Sequence, residues 1–125
     1  MATILVIEDS PTDQLALGRV LEKEGHVVLN ASNGEAGVIM AINQQPDLIL
    51  MDVVMPGVNG FQATRQLSRL TETASIPVII ITTKDQETDR IWGMRQGACG
   101  YLTKPVKAHD LKVSVDAALA ASATL

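Results

Sequence analysis

Residues 46–60 read PDLILMDVVMPGVNG, and this stretch decides the fold class. Its apolar part, from Leu48 to Met51, lies between Pro46 and a turn rich in proline and glycine. A short apolar run between such breakers predicts a buried central strand of a parallel sheet. Asp52 follows that strand directly, at the carboxyl end, where open parallel sheets bind their ligands. Asp52 is therefore the first candidate functional residue.

Length, charge and cysteine content limit the class of protein. The chain has 125 residues, a formal net charge of -4, 46% hydrophobic residues and a single cysteine, Cys99. We expect residues 1–125 to form one domain without an output domain. Scattered basic residues in an acidic chain argue against nucleic-acid binding, and no apolar run approaches the length of a membrane span. We therefore expect a monomeric cytoplasmic domain in which Cys99 is a buried small hydrophobic residue.

Strand-like and helix-like patterns alternate along the whole chain. Further apolar, β-branched runs occupy residues 4–7, 27–29, 77–81 and 101–103. Each is followed by a helical pattern, and the last helix is expected to run almost to Leu125. Five such strand–helix units with short connections predict an α/β domain, with one doubly wound parallel sheet and helices on both faces.

Polar and charged residues mark the carboxyl ends of four predicted strands: Glu8 and Asp9 after the first, Asp52 after the third, Thr82 at the end of the fourth, and Lys104 after the fifth. Because these strand ends share one edge of the sheet, we expect the five side chains to lie together. Clustered carboxylates repel one another unless a cation intervenes, and Mg²⁺ suits a site with few protein ligands. A metal, a lysine and a hydroxyl beside Asp52 predict phosphorylation of Asp52 to an acyl phosphate.

These residues carry a resemblance to a known family. Glu8-Asp9, the run from Asp52 to Gly60, Thr82, and Lys104-Pro105 together resemble the receiver domain of bacterial response regulators, over essentially the whole chain. The resemblance implies a flavodoxin-like (βα)₅ fold, similar to that of CheY, with strand order 2-1-3-4-5. It also implies that Asp52 is the phosphoacceptor for a sensor histidine kinase.

The resemblance further implies a metal site. Asp9 and Asp52 would ligate Mg²⁺ directly, Glu8 would act through water, and Val54 would contribute its backbone carbonyl. Such a protein is not an enzyme in the ordinary sense, because it would catalyse only its own Mg²⁺-dependent phosphorylation and dephosphorylation.

A switch is implied in the same way. Lys104 would pair with the phosphoryl oxygens, and the Lys104–Pro105 peptide bond would be cis. Thr82 and Tyr101 would form a switch pair, with Tyr101 swinging inward from an outward rotamer. The downstream partner would bind the face made by helix four, strand five and helix five.

A finer similarity concerns residues 52–67, where GFQATRQL opens the third helix. This stretch is most similar to the stand-alone, PilH-like receivers of type IV pilus twitching-motility systems. That similarity implies a CheA-like kinase and control of pilus motility, either by switched binding of a motility or signalling protein or by acting as a phosphate sink.

Two other classes of protein remain open at this point. Phosphatases of the haloacid-dehalogenase type also use an aspartyl nucleophile, but their Asp-x-Asp pair follows strand one, whereas here Asp52 follows strand three and position 54 is valine. A nucleotide-binding flavodoxin-like module would need a glycine-rich loop after strand one, where this chain has Glu8-Asp9-Ser10-Pro11. Turnover of small phosphomonoesters would favour the first class, and bound flavin the second.

Overall fold

The computed structural model describes residues 1–123, in which five strands alternate with five helices. The strands are β1 (Thr3–Ile7), β2 (Val27–Ala31), β3 (Leu48–Met51), β4 (Val78–Thr82) and β5 (Gly100–Thr103). The helices are α1 (Pro11–Lys23), α2 (Gly34–Gln44), α3 (Gly60–Arg69), α4 (Glu87–Arg95) and α5 (Ala108–Ala123). Within residues 1–123, none of the helices is long and apolar enough to span a membrane.

All five strands belong to one parallel sheet with the order β2-β1-β3-β4-β5. The register aligns their carboxyl ends: Ile7 pairs with Met51, and Thr82 pairs with Thr103. The residues that follow β1, β3 and β5 therefore lie at the same edge as the last residue of β4. This arrangement confirms the predicted flavodoxin-like fold and its strand order.

The sheet has an apolar core on each face, because successive side chains of a strand point to opposite sides. On β1, Leu5 and Ile7 contact the core beneath α2 and α3, whereas Ile4 and Val6 contact the core beneath α1 and α5. The central strands are covered on both sides, which explains why their sequences are continuously apolar rather than alternating.

The start of α1 is fixed by local side-chain chemistry. Ser10 is the N-cap, its hydroxyl accepts a hydrogen bond from the backbone amide of Asp13, and Pro11 occupies the first helical position. The helix therefore begins immediately after the strand end that carries Glu8, and its first turn lies over the same edge of the sheet.

The start of α3 depends on a close backbone approach. Asn59 and Gln62 form a capping box, with reciprocal hydrogen bonds between side chain and backbone. A Cβ on Gly60 would lie 2.1 Å from the carbonyl oxygen of Asp52. Only glycine lets α3 begin against the end of β3, so Gly60 helps to fix the backbone that carries Asp52.

Two expectations from the sequence need correction or restriction. Cys99 is exposed rather than buried, because it precedes β5, an edge strand with a neighbour on one side only. It lies in an open groove of about 470 Å³ between this strand and α5, and partial burial raises the pKa of its thiol. The helix α5 is described as far as Ala123, so its predicted extension towards Leu125 lies outside the described residues.

Candidate functional site

Three carboxylates meet at the carboxyl edge of the sheet. Glu8 and Asp9 follow β1, Asp52 follows β3, and one carboxylate oxygen from each lies within 4.8 Å of the others. Glu8 and Asp52 are buried, with exposed fractions of 1% and 7%, whereas Asp9 is exposed. The structure thus brings together the three acidic residues that the sequence predicted for one site, and it opens the cluster to solvent on the side of Asp9.

Lys104 reaches into this cluster from the end of β5. Its Nζ donates to Oε1 of Glu8, to Oδ2 of Asp13 at 2.8 Å and to Oδ2 of Asp52 at 3.3 Å. The backbone amide of Lys104 donates to the carbonyl oxygen of Thr82 at 2.8 Å, and the Lys104–Pro105 peptide bond is cis, as predicted. The lysine is therefore held by both its backbone and its ammonium group.

Burial and hydrogen bonding act against each other in this cluster. Burial raises the pKa of Glu8 from 4.5 to about 7, although the Lys104 ammonium and the Ser10 amide both favour the carboxylate. Burial alone would lower the pKa of Lys104, but its hydrogen bonds to Asp13 and Glu8 raise that pKa above the ordinary value. Lys104 is thus a permanent cation near neutral pH, whereas Glu8 exchanges a proton there.

The residues present fit a hard divalent cation. With every group ionised, four carboxylates against one ammonium leave the site with a net charge of -3. The side-chain donors are oxygens, which Mg²⁺ prefers, and the exposed Asp9 gives a hydrated ion access. Val54 contacts the same site, because its backbone amide donates to Oδ1 of Asp52 at 3.2 Å.

The structure adds to this site Asp13, a residue that the sequence pattern does not single out. Its position in the first turn of α1 is sufficiently explained by the helix dipole, so the pattern gave no reason to look further. Its contact with Lys104 joins residues 91 positions apart. The available signal was indirect: a helix that starts directly after Glu8-Asp9 must carry its first-turn acid over the same sheet edge.

The predicted switch residues are linked through the backbone of a single residue, Lys84. Thr82 is fully buried, and its hydroxyl accepts a hydrogen bond from the backbone amide of Lys84 at 3.4 Å. The Tyr101 hydroxyl donates to the backbone carbonyl of Lys84 at 2.7 Å. A displacement of Thr82 would therefore act on the loop that also holds Tyr101.

Tyr101 is half-buried in this structure. A Cβ on Gly93 would lie 3.2 Å from the tyrosine ring and 2.8 Å from Ile80, so the absence of a side chain at Gly93 makes room for the ring against α4. Burial, and then the nearby carboxylates of Asp89 and Asp85, raise the pKa of Tyr101 to about 12.

The helix α4 presents apolar side chains to solvent. Ile91, Trp92 and Met94 are 45%, 48% and 40% exposed. Trp92, the single tryptophan of the chain, therefore lies on the surface.

The chain matches the family model "Response regulator receiver domain" over residues 4–116. Among curated proteins it is similar to Protein PilH of Pseudomonas aeruginosa, with 59% identity over 120 residues, covering 96% of this chain and 99% of that protein.

Solved structures agree with this match. The chemotaxis protein CheY4 of Vibrio cholerae has a TM-score of 0.88 and 25% identity, covering 94% of this chain and 98% of that one. A second similar structure is the receiver domain of the sensor histidine kinase PA1611 of Pseudomonas aeruginosa, which has a magnesium ion coordinated in its active-site cleft. It has a TM-score of 0.88 and 29% identity, covering 95% of this chain and 98% of that one.

The family match and the position of Asp52 after β3 favour the receiver interpretation over a haloacid-dehalogenase-type phosphatase or a flavodoxin-like nucleotide-binding module. Receiver domains take phosphoryl groups from histidine kinases and bind Mg²⁺ at an acidic pocket, and they are not enzymes in the ordinary sense. This chain, with its CheY-like fold and its acidic edge cluster, belongs to the response regulator receiver domain family.

Proposed function

We propose that Asp52 accepts a phosphoryl group from a phosphohistidine of a sensor kinase, in a two-component or chemosensory phosphorelay. The observation that carries this proposal is the position of the Asp52 carboxylate, inside an acidic cluster and 3.3 Å from Nζ of Lys104. A transferring phosphoryl group spreads negative charge over its oxygens, so it needs cations beside the accepting carboxylate. This edge of the sheet supplies one cation from the chain and donors for a second.

The second cation is proposed to be Mg²⁺. Asp9 and Asp52 would hold it directly, Glu8 through water, and Val54 through its backbone carbonyl. The carboxylate donors and the open side at Asp9 support this assignment, as does the magnesium ion in the PA1611 receiver domain. When bound, the ion neutralises charge on the phosphoryl oxygens.

The remaining steps belong to side chains of this chain. An oxygen of the Asp52 carboxylate attacks phosphorus in line with the phosphorus–nitrogen bond of the phosphohistidine, that bond breaks, and the imidazole leaves with the electron pair. Lys104 then exchanges its contact with the carboxylate for one with a phosphoryl oxygen. Water later hydrolyses the acyl phosphate, which returns inorganic phosphate and the free carboxylate.

A conformational signal is proposed to run through Thr82. A phosphoryl oxygen on Asp52 would accept a hydrogen bond from the Thr82 hydroxyl and draw it towards Asp52, which would alter the hydrogen bond that this hydroxyl accepts from the Lys84 amide. The carbonyl of Lys84 also accepts the hydrogen bond from Tyr101. The proposed partner surface is the face of α4, β5 and α5 that carries Tyr101 and the exposed Trp92.

This signal can be tested with Thr82→Ala. One charge-assisted hydrogen bond of about 1.5–3 kcal/mol shifts a two-state equilibrium by roughly one to two decades. Thr82→Ala is therefore expected to accept phosphate while losing most of the phosphorylation-dependent gain in partner affinity. Full phosphorylation-dependent binding by this variant would contradict the coupling.

We also propose the setting in which the domain acts. The similarity of residues 52–67 to PilH-like receivers and the 59% identity to Protein PilH support control of type IV pilus motility downstream of a CheA-like kinase. The output would be either switched binding of a motility or signalling protein or removal of phosphoryl groups from the kinase as a sink. In either case the domain would act as a monomer in the cytoplasm.

Phosphorylation by a small donor tests the central assignment. Protein incubated with acetyl phosphate and Mg²⁺ is expected to gain the mass of one phosphoryl group, and Asp52→Asn is expected to gain none. Asp47→Asn is a matched control, because Asp47 is an exposed aspartate before the amino end of the same strand. Equal phosphorylation of wild type and Asp52→Asn would overturn the assignment.

A further inference from the structure

Lys104 has one carboxylate partner that lies outside the acidic cluster. Its Nζ bonds to Glu8 and Asp52, which belong to the three clustered carboxylates, and to Asp13, which does not. The bond to Asp13, at 2.8 Å, is shorter than the bond to Asp52, at 3.3 Å. The ammonium is therefore shared between the cluster and the first turn of α1.

A divalent cation in the cluster would compete with that ammonium. Lys104 already uses oxygens of two of the three carboxylates that such an ion would need, and two cations at one set of anions repel each other. Binding of the ion therefore requires Lys104 to weaken its bonds to Glu8 and Asp52. Asp13 offers the ammonium a negatively charged partner that is not one of the carboxylates the ion would need.

The structure leaves room for such a shift. A cavity of about 530 Å³ lies between α1 and α5, and its lining includes Asp13 and Lys104 together with apolar side chains such as Leu17 and Val106. The Asp13 side chain is 42% exposed, so it can follow the lysine without opening the core. Lys104 can thus move towards α1 at little packing cost.

We propose that Asp13 is a positioning residue that holds the Lys104 ammonium on the α1 side of the site, so that a divalent cation and Lys104 occupy the acidic edge together. This inference rests on the proposed function, because it concerns how the phosphoryl site is loaded. Without Asp13, Lys104 would depend on Glu8 and Asp52 alone and would compete more strongly with the cation.

A double-mutant cycle on Mg²⁺ affinity, measured by calorimetry, tests this role. The four proteins are wild type, Asp13→Asn, Lys104→Met and the double variant. Asp13→Asn is expected to weaken Mg²⁺ binding by about twofold to fivefold, the effect of one partly exposed ion pair. In the Lys104→Met background the same substitution is expected to have a much smaller effect, because no ammonium remains to be positioned.

Two controls separate positioning from simple loss of negative charge. Glu35→Gln removes an exposed first-turn acid of α2, a residue that is not among the three carboxylate partners of Lys104 within residues 1–123. It is expected to match the small effect of Asp13→Asn in the Lys104→Met background. Asp13→Glu keeps the charge and is expected to recover most of the wild-type affinity. If Lys104→Met does not fold, Lys104→Gln provides the second background.

Equal weakening by Asp13→Asn with and without Lys104 would overturn the proposal, and so would unchanged affinity in Asp13→Asn. Wild-type phosphorylation by acetyl phosphate is measured alongside. If the cycle shows no coupling between Asp13 and Lys104 while Asp52 is phosphorylated normally, only the role of Asp13 is refuted. If wild type is not phosphorylated at all, the proposed function is refuted.

Discussion

Replacing Lys104 by methionine removes the only cation bonded to the buried carboxylates within the described part of the chain. The side chains of Glu8 and Asp52 are 2% and 8% exposed, so both would lose their partner in a region of low dielectric. Breaking a buried ion pair costs about 3–5 kcal/mol, whereas the more exposed Asp13 pair contributes at most about 1 kcal/mol. We expect Lys104→Met to lower the free energy of unfolding by about 3 kcal/mol at pH 8 without Mg²⁺, because protonation of Glu8 offsets part of the loss.

The loss of stability caused by Lys104→Met is expected to be smaller at low pH than at high pH. Burial raises the pKa of Glu8 from 4.5 to about 7, so the folded state holds a proton that the unfolded state releases. The stabilisation that comes from this bound proton on Glu8 is fully present below pH 4.5 and is lost as the pH rises through 7. Without the ammonium, the pKa of Glu8 rises further. Lys104→Met should therefore cost less stability at pH 6, where Glu8 is largely protonated in both proteins, than at pH 8.

Urea unfolding, followed by the fluorescence of the single tryptophan, Trp92, measures these differences. Mg²⁺ is expected to stabilise Lys104→Met more than wild type at pH 8, because the ion replaces the missing positive charge. Lys112→Met is the matched control, since Lys112 pairs with Glu24 at 3.8 Å on the surface and should cost less than about 1 kcal/mol. The same loss at both pH values, with no differential effect of Mg²⁺, would refute this account of the cluster.

Two further substitutions test the acidic cluster and the backbone beneath it. Asp9→Ala should weaken Mg²⁺ binding in calorimetry and prevent phosphorylation, while the metal-free domain remains folded or gains stability from reduced repulsion; unchanged Mg²⁺ affinity would exclude Asp9 as a ligand. Gly60→Ala should destabilise the domain by about 3 kcal/mol or more in urea unfolding, because its Cβ would lie 2.1 Å from the Asp52 carbonyl oxygen. Gly18→Ala is the control, because a Cβ at this position inside α1 would make only ordinary contacts, at 3.6 Å. It should stabilise the domain by up to about 1 kcal/mol. Equal effects of the two alanine substitutions on stability would contradict the packing argument.

The sequence was sufficient for the fold and for most of the acidic edge. Buried parallel strands have continuous apolar sequences, so the residue that follows each run could be located, and topology then placed Glu8, Asp52 and Lys104 together. These predictions depended on where strands end, and the apolar runs mark their ends clearly.

The remaining contacts depend on how helices and loops pack over the sheet. The bond from Asp13 to Lys104 needs the position of α1 relative to the end of β5, and the link from Thr82 to Tyr101 needs the path of the loop at Lys84. The expected burial of Cys99 was wrong for a related reason, because this residue immediately precedes an edge strand. Local sequence does not contain these relations between distant segments.

The central claim is that Asp52 carries the phosphoryl group, and chemical mapping of the modified residue tests it most directly. Borohydride reduces an aspartyl phosphate to homoserine, which peptide mass spectrometry locates. After incubation with acetyl phosphate and Mg²⁺, we expect homoserine at position 52 and unmodified aspartate at positions 9 and 13. Homoserine at position 9 or 13, with Asp52 unmodified, would contradict it.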